Sequence, residues 1–208
     1  MTKPIILTIS ENNIDIKLIR EAARVVREGG IIAFPTETVY GIGCLRPYQD
    51  SIKRIYEIKG RDFNKPLAVY LPDTKRLRKI VDDISPAADT LIRKFLPGPL
   101  TIILKNEIGE PTGFRISPQK VLRKLLGEFL DPMVGTSANK SGERDPVNAE
   151  EVIASLGDDL DLVIDSGPCT ERLPSTVVDC TGTTPKILRE GKVTANELLL
   201  AFNYHKSR

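Results

Sequence analysis

The chain has a single histidine, His205, and it stands in the tail YHKSR. Chain ends fray readily. A Ser-His-Asp triad or a histidine-rich metal centre would therefore depend on a loose end, and neither is expected. Cysteine is scarce too: Cys44, Cys169 and Cys180 are odd in number and share no CxxC spacing. They imply no disulfide framework and no zinc site, and they fit a reducing cytoplasm. No apolar run approaches the roughly 20 residues that span a bilayer, and the N-terminus shows no signal-peptide pattern. A soluble cytoplasmic protein without membrane partners is expected. Thirty basic residues against 28 acidic ones leave a net charge of only +2, so no global field advertises a nucleic-acid partner. No GxxxxGK(S/T) loop occurs, and Gly41-Ile42-Gly43 lacks the third glycine of a dinucleotide fingerprint. Any nucleotide must be held in another way.

What is present is an ordinary globular composition, 40% apolar and 28% charged, in a length that suits one domain with a substantial core. Short β-like runs alternate with helical patterns. Candidate strands are 5–9, 31–34, 67–71, 100–104, 114–116, 133–135, 162–164, 176–180 and 186–189. Asn13 precedes an amphipathic run from Ile14 to Arg27 that stops at Gly29-Gly30. Asp50 is placed to cap 51–59, and Ser85-Pro86 opens a helix to about Leu96. Helices over 148–156 and 194–202 complete the set. Interleaved strands and helices predict an α/β fold with a parallel or mixed sheet, with ligands beyond the carboxyl ends of its strands.

Several stretches carry chemistry. Residues 31–44, IIAFPTETVYGIGC, run an apolar strand into Thr36, Glu37 and Thr38; the alternative is a proline-initiated turn with locally satisfied hydroxyls. In KGRDFNKPLAVYL (59–71), Lys59 and Arg61 stand two apart between a helix and a strand, where two cations can share a polyphosphate. A surface cation pair is the competing reading. Around them basic residues are in surplus between Lys53 and Lys79, although Lys75–Lys79 equally suits a solvated helix face. GTSANKSG (135–142) supplies Ser137 and Asn139 as neutral phosphate or ribose partners, or as an Asx-turn or helix cap. GFRIS sets Arg115 in a β-like run, where a guanidinium is costly to bury unless an anion meets it. LPSTVVDC opens a strand with Ser175 and Thr176, and KILREG puts Arg189 at a strand end. Compact polar groups or cations at several strand ends favour one shared crevice.

The stretches FPTETVYGIG, KGRDFNKPLAVYL, FLPGPLTIIL, GFRIS, VGTSANKSG, PSTVVDCTG and ILREG lie in one order over residues 14–200. In them the chain resembles the YrdC-like domain of the threonylcarbamoyl-AMP synthases, the TsaC-type enzymes. That family pairs a KxR element with a distant SxN element, here Lys59/Arg61 and Ser137/Asn139. The resemblance implies a twisted open mixed sheet with flanking helices around a large concave cavity. It also implies one YrdC-like domain over residues 1–208, with its core at about 14–200, in the short form of the family. The implied reaction turns L-threonine, bicarbonate and ATP into threonylcarbamoyl-AMP, pyrophosphate and water, for threonylcarbamoyladenosine synthesis on tRNA.

On this likeness Lys59 and Arg61 are the expected catalytic pair, neutralising ATP phosphates, with Mg²⁺ carried on the nucleotide and no metal site of the protein's own. Ser137, Asn139 and Arg189 complete the ATP site, and Thr36, Tyr70, Arg115 and Ser175 bind L-threonine. Two positions depart from the family pattern: Asp62 replaces a common proline, and Tyr70 stands where many relatives have histidine. At an ordinary pKa of about 10, tyrosine is a poor base near neutrality. Hand-over of the product to the tRNA threonylcarbamoyl-transfer complex is the implied partnership. The alternatives are a non-catalytic module binding structured RNA and a paralogue with related carbamoyl-adenylate chemistry. Near-neutral charge and few aromatic rings argue against RNA as more than a weak ligand.

Overall fold

The computed structural model describes residues 3–206, with side chains to residue 202. His205 falls at the end of the last helix, and its side chain lies outside the described residues. Helix starts follow from capping chemistry. The Asp15 carboxylate accepts from the Lys17 amide at 2.8 Å and opens α1, Ile16–Arg27. Asn13, the expected cap, is instead held in a bridge to Ser10. α2, Gln49–Lys59, starts before Asp50, which sits in its first turn and complements the helix dipole there. Asp73 and Gln119 cap α3 (Thr74–Ile80) and α5 (Lys120–Leu126), two helices the sequence pattern did not assign. Both have seven residues, too few for a helical period to stand out. Ser85 and Pro86 start α4, Pro86–Phe95, as expected. Asn148 caps α6 (Ala149–Leu156), and Glu151 reaches back to the Val147 amide at 2.8 Å. α7 covers Ala195–Lys206.

Ten strands among the described residues form one mixed sheet. They are β1 Ile5–Thr8, β2 Ile32–Phe34, β3 Gly41–Leu45, β4 Ala68–Tyr70, β5 Leu100–Lys105, β6 Pro111–Arg115, β7 Met133–Ser137, β8 Leu162–Asp165, β9 Thr176–Asp179 and β10 Lys186–Arg189. The order is β1-β8-β2-β3-β7-β4-β6-β5-β9-β10. Pairs β1/β8, β2/β8, β4/β6 and β5/β9 are parallel; β2/β3, β3/β7, β4/β7, β5/β6 and β9/β10 are antiparallel. The α/β fold with a mixed sheet is as the sequence indicates.

β3 is the principal difference. Gly41-Ile42-Gly43 lies outside the expected strands, yet it is strand, paired with both β2 and β7. A side chain at Gly41 would come within 2.6 Å of the Phe34 ring, and one at Gly43 would overlap the Val134 carbonyl oxygen. The glycines leave room for the fully buried Phe34 ring against the strand.

The two faces of the sheet are covered unequally. One face packs along its length against α2, α3, α4, α6 and α7, through residues such as Val69, Ile102, Phe114, Val134 and Val178. The other is covered by α1 and α5 over the β1-β8-β2-β3 half, where Ile19, Val26, Leu122 and Leu125 meet Ile32 and Phe34. That second core ends at Tyr70, whose ring sits edge-on to Phe34 at 5.1 Å. Beyond Tyr70 no helix among the described residues covers this face of the sheet. Among the described residues no helix is long and apolar enough to cross a membrane.

Candidate active site

Over the uncovered half lies a cavity of about 390 Å³, within the range for small-molecule sites. Its floor is the period-2 alternation of the strands: Ala68 and Tyr70 of β4, Gly113 and Arg115 of β6, Thr101 and Ile103 of β5, Val177 of β9. The intervening residues face the core. The cavity therefore rests on the sheet face. A mixed sheet with one half-bare face offers a floor there, whereas the expected crevice beyond carboxyl ends belongs to sheets covered on both faces.

The turn after β2 forms one wall. The Thr36 hydroxyl donates to the Val39 carbonyl at 2.6 Å and accepts from the amides of Thr38 and Val39 at 3.1 and 3.2 Å. Thr36 and Thr38 both line the cavity. The locally satisfied turn and the cavity wall are thus the same structure. Glu37 turns the other way, into the protein, where its carboxylate takes the Arg115 guanidinium and the Ser117 hydroxyl. Arg115 is 2% exposed, and its guanidinium also donates to the Gly98 carbonyl. The anion that a buried guanidinium requires is thereby supplied within the chain. Ser175 meets the Thr101 hydroxyl at 2.9 Å, and Arg189 donates to the Ser175 carbonyl at 2.8 Å.

The end of α2 fixes the two basic residues. Gly60 adopts φ = +56°, a left-handed conformation that glycine takes without penalty. The Arg61 amide closes on the Tyr56 carbonyl at 2.9 Å and the Gly60 amide on that of Glu57 at 3.1 Å, a Schellman stop. This reversal sends the two cations in different directions. Arg61 lines the cavity, braced by its Nε on the Lys65 carbonyl at 2.9 Å. Lys59 is buried; its Nζ donates to the Ser137 carbonyl at 2.6 Å, to the Asn139 carbonyl, and to Asn139 Oδ1 at 3.3 Å. Ser137 donates to Asn139 Oδ1 at 2.6 Å, and Asn139 Nδ2 to the Glu143 carbonyl at 2.7 Å.

The expected KxR and SxN groups are therefore together, with one correction. Arg61 and Ser137 line the cavity, whereas Lys59 and Asn139 stand behind the wall and fasten its loop. A buried ammonium must be fully hydrogen-bonded, and backbone carbonyls at the end of β7 are the nearest acceptors. Burial pushes the Lys59 pKa down to about 8, with the Arg61 charge adding to the effect and Asp145 opposing it. Burial likewise lowers Arg61, and Arg189 pushes the same way. Tyr70 is raised by burial, so its hydroxyl stays protonated near neutrality and serves as a donor. The sequence reading did not single out Lys65, Thr101 or Asp145, all of which line the cavity. Lys65 lies inside the KGRDFNKPL stretch, and Thr101 follows from strand alternation. Asp145 has no comparable signal beyond its place just after the SxN loop.

Residues 24–191 match the Sua5/YciO/YrdC family model, described as telomere recombination. A threonylcarbamoyl-AMP synthase of Bacillus subtilis is 34% identical over 190 residues, covering 86% of this chain and 55% of its own length. The structure of Pyrococcus abyssi Sua5 complexed with L-threonine superposes with a TM-score of 0.88 at 32% identity, over 95% of this chain and 60% of that one. Escherichia coli YciO superposes with a TM-score of 0.84 at 26% identity, over 95% of this chain and all of its own. This chain spans little more than half the length of the Bacillus relative.

Proposed function

The chain belongs to the Sua5/YciO/YrdC family, and on that premise we propose that it is an L-threonylcarbamoyladenylate synthase. ATP is the substrate activated, L-threonine the acceptor of bicarbonate-derived carbon, and threonylcarbamoyl-AMP and pyrophosphate the products. The observation that carries this reading is the meeting of two sets of side chains around one cavity. Arg61, Ser137 and Arg189 are suited to phosphate, while Thr36, Tyr70, Arg115 and Ser175 are suited to a small amino acid. The Pyrococcus relative binds L-threonine.

In the proposed reaction the neutral amine of threonine attacks bicarbonate-derived carbon, forming the C–N bond of a carbamate as water leaves. A carbamate oxygen then attacks the α-phosphorus and pyrophosphate leaves. No step requires a protein nucleophile. Arg61 and Arg189 stabilise charge developing on the phosphates, and Lys59 and Asn139 hold the Ser137 loop in place. Arg115, already paired with Glu37, contributes an oriented guanidinium edge to the threonine carboxylate; the Tyr70 hydroxyl and Ser175 supply neutral donors. Such positioning supplies about 7–11 kcal/mol of rate acceleration, and charge stabilisation a few kcal/mol more. Mg²⁺ carried on the nucleotide would supply charge screening of its phosphates. The product passes to the machinery that modifies tRNA.

The test is incubation with labelled bicarbonate, L-threonine and Mg-ATP. A labelled, threonine-dependent adenylate with matching pyrophosphate release is expected from the wild type, and its loss is expected in R61A. Pyrophosphate release that ignores threonine, or that is driven by carbamoyl phosphate, would overturn the assignment.

A further inference from the structure

Among the described residues the cavity wall carries four cationic side chains and one carboxylate, Asp145. The guanidinium groups are engaged: Arg61 with the Lys65 carbonyl, Arg189 with that of Ser175, Arg115 with Glu37. No described residue hydrogen-bonds or ion-pairs with the Asp145 carboxylate. It is half-buried, on the loop that carries the chain from Asn139 to α6. Two residues before it the Glu143 carbonyl accepts from Asn139 Nδ2 at 2.7 Å, and just after it the Pro146 carbonyl accepts from the Tyr40 amide at 2.8 Å, beside the pairing of Gly41 with Ser137. Asp145, held between these two anchors, therefore stands toward the Ser137 end of the cavity, which is the phosphate end on the reading above.

A bare carboxylate is a poor neighbour for a triphosphate. The conflict disappears if a hard dication lies between them, and Mg²⁺ is commonly held by one or two carboxylates together with substrate phosphates and water. Resting on the adenylation reading, we propose that Asp145 is the protein ligand of the divalent cation that enters with the nucleotide. The other ligands are phosphate oxygens and water. Among the described residues no cluster of three metal-ligating side chains exists, so the metal binds with the nucleotide and not ahead of it. Asp145 then acts as a gate of charge. It penalises the metal-free nucleotide and rewards the metal complex.

The experiment is equilibrium titration with ATP, without threonine or bicarbonate, in excess Mg²⁺ and again in EDTA, for the wild type, D145N and D145S. The wild type is expected to lose at least tenfold in affinity without Mg²⁺. Both variants are expected to bind metal-free ATP more tightly than the wild type and to gain less than threefold from Mg²⁺. With Mn²⁺ in place of Mg²⁺, the EPR spectrum of the nucleotide complex is expected to change in D145N. An equal Mg²⁺ gain in all three proteins overturns the assignment while leaving the adenylation reading standing. A separate titration with L-threonine that finds weaker binding in D145N, beside an unaltered Mg²⁺ gain for ATP, also overturns it, giving the carboxylate to the ammonium group. Failure of the wild type to bind ATP in either condition overturns the nucleotide reading and this assignment together.

Discussion

Lys59 allows a quantitative test of how the loop behind the cavity is held. Its side chain is 3% exposed, and its pKa lies at about 8 instead of 10.5, chiefly through desolvation. In the unfolded chain the ordinary value returns. Below pH 8 both states carry the proton, and the folded state bears the full cost of a buried charge. Between 8 and 10.5 the unfolded chain holds a proton that the folded chain has released, so stability rises with pH across that window. At about 1.36 kcal/mol per pH unit, the rise is about 3 kcal/mol. Lys59→Met removes the titrating group. It also leaves the Ser137 and Asn139 carbonyls without their donor, a loss of about 1–3 kcal/mol each. At pH 7 these penalties and the relieved desolvation largely offset, so the slope with pH is the informative quantity. Urea denaturation followed by circular dichroism suits a chain with no tryptophan. Subtracting the variant's pH–stability curve from the wild type's should leave a rise of about 3 kcal/mol between pH 8 and 10.5. Parallel curves would refute the reasoning.

Glu37→Gln should destabilise the fold by about 3–5 kcal/mol, because it strands the buried Arg115 guanidinium. Chemical denaturation measures this, and a change under 1 kcal/mol would mean that Arg115 finds another acceptor. Gly43→Ala places a methyl group against the Val134 carbonyl. It is expected to cost about 1–3 kcal/mol as overpacking, read as a lower midpoint in thermal denaturation; an unchanged midpoint would show that β3 and β7 can part without penalty.

The α/β class was legible because β-branched runs and capped amphipathic segments alternate cleanly along the chain. β3 was not, since glycine is a poor strand former and its use here answers to Phe34, several residues away in sequence and directly beneath in space. α3 and α5 escaped for want of length. The Lys59/Arg61 and Ser137/Asn139 pairs were visible as motifs, but which member faces the cavity depends on the backbone reversal at Gly60. The demand of Arg115 for an anion was readable from its apolar setting. The identity of that anion was not, because Glu37 lies 78 residues away along the chain. Asp145 was invisible for a related reason: an acid in a polar loop acquires meaning only when the loop is folded over a cationic wall.

The half-bare sheet separates two tasks that most binding sites entangle. Along β4, β5, β6 and β9 every second side chain anchors the hydrophobic interior, while its neighbours point outward to whatever the hollow holds. Exchanging Thr101, Ile103 or Val177 re-tiles the floor for a different guest and leaves Ile102 and Val178 to keep the scaffold upright. Ligand preference in this architecture is therefore adjustable in steps of two residues, at little expense to folding.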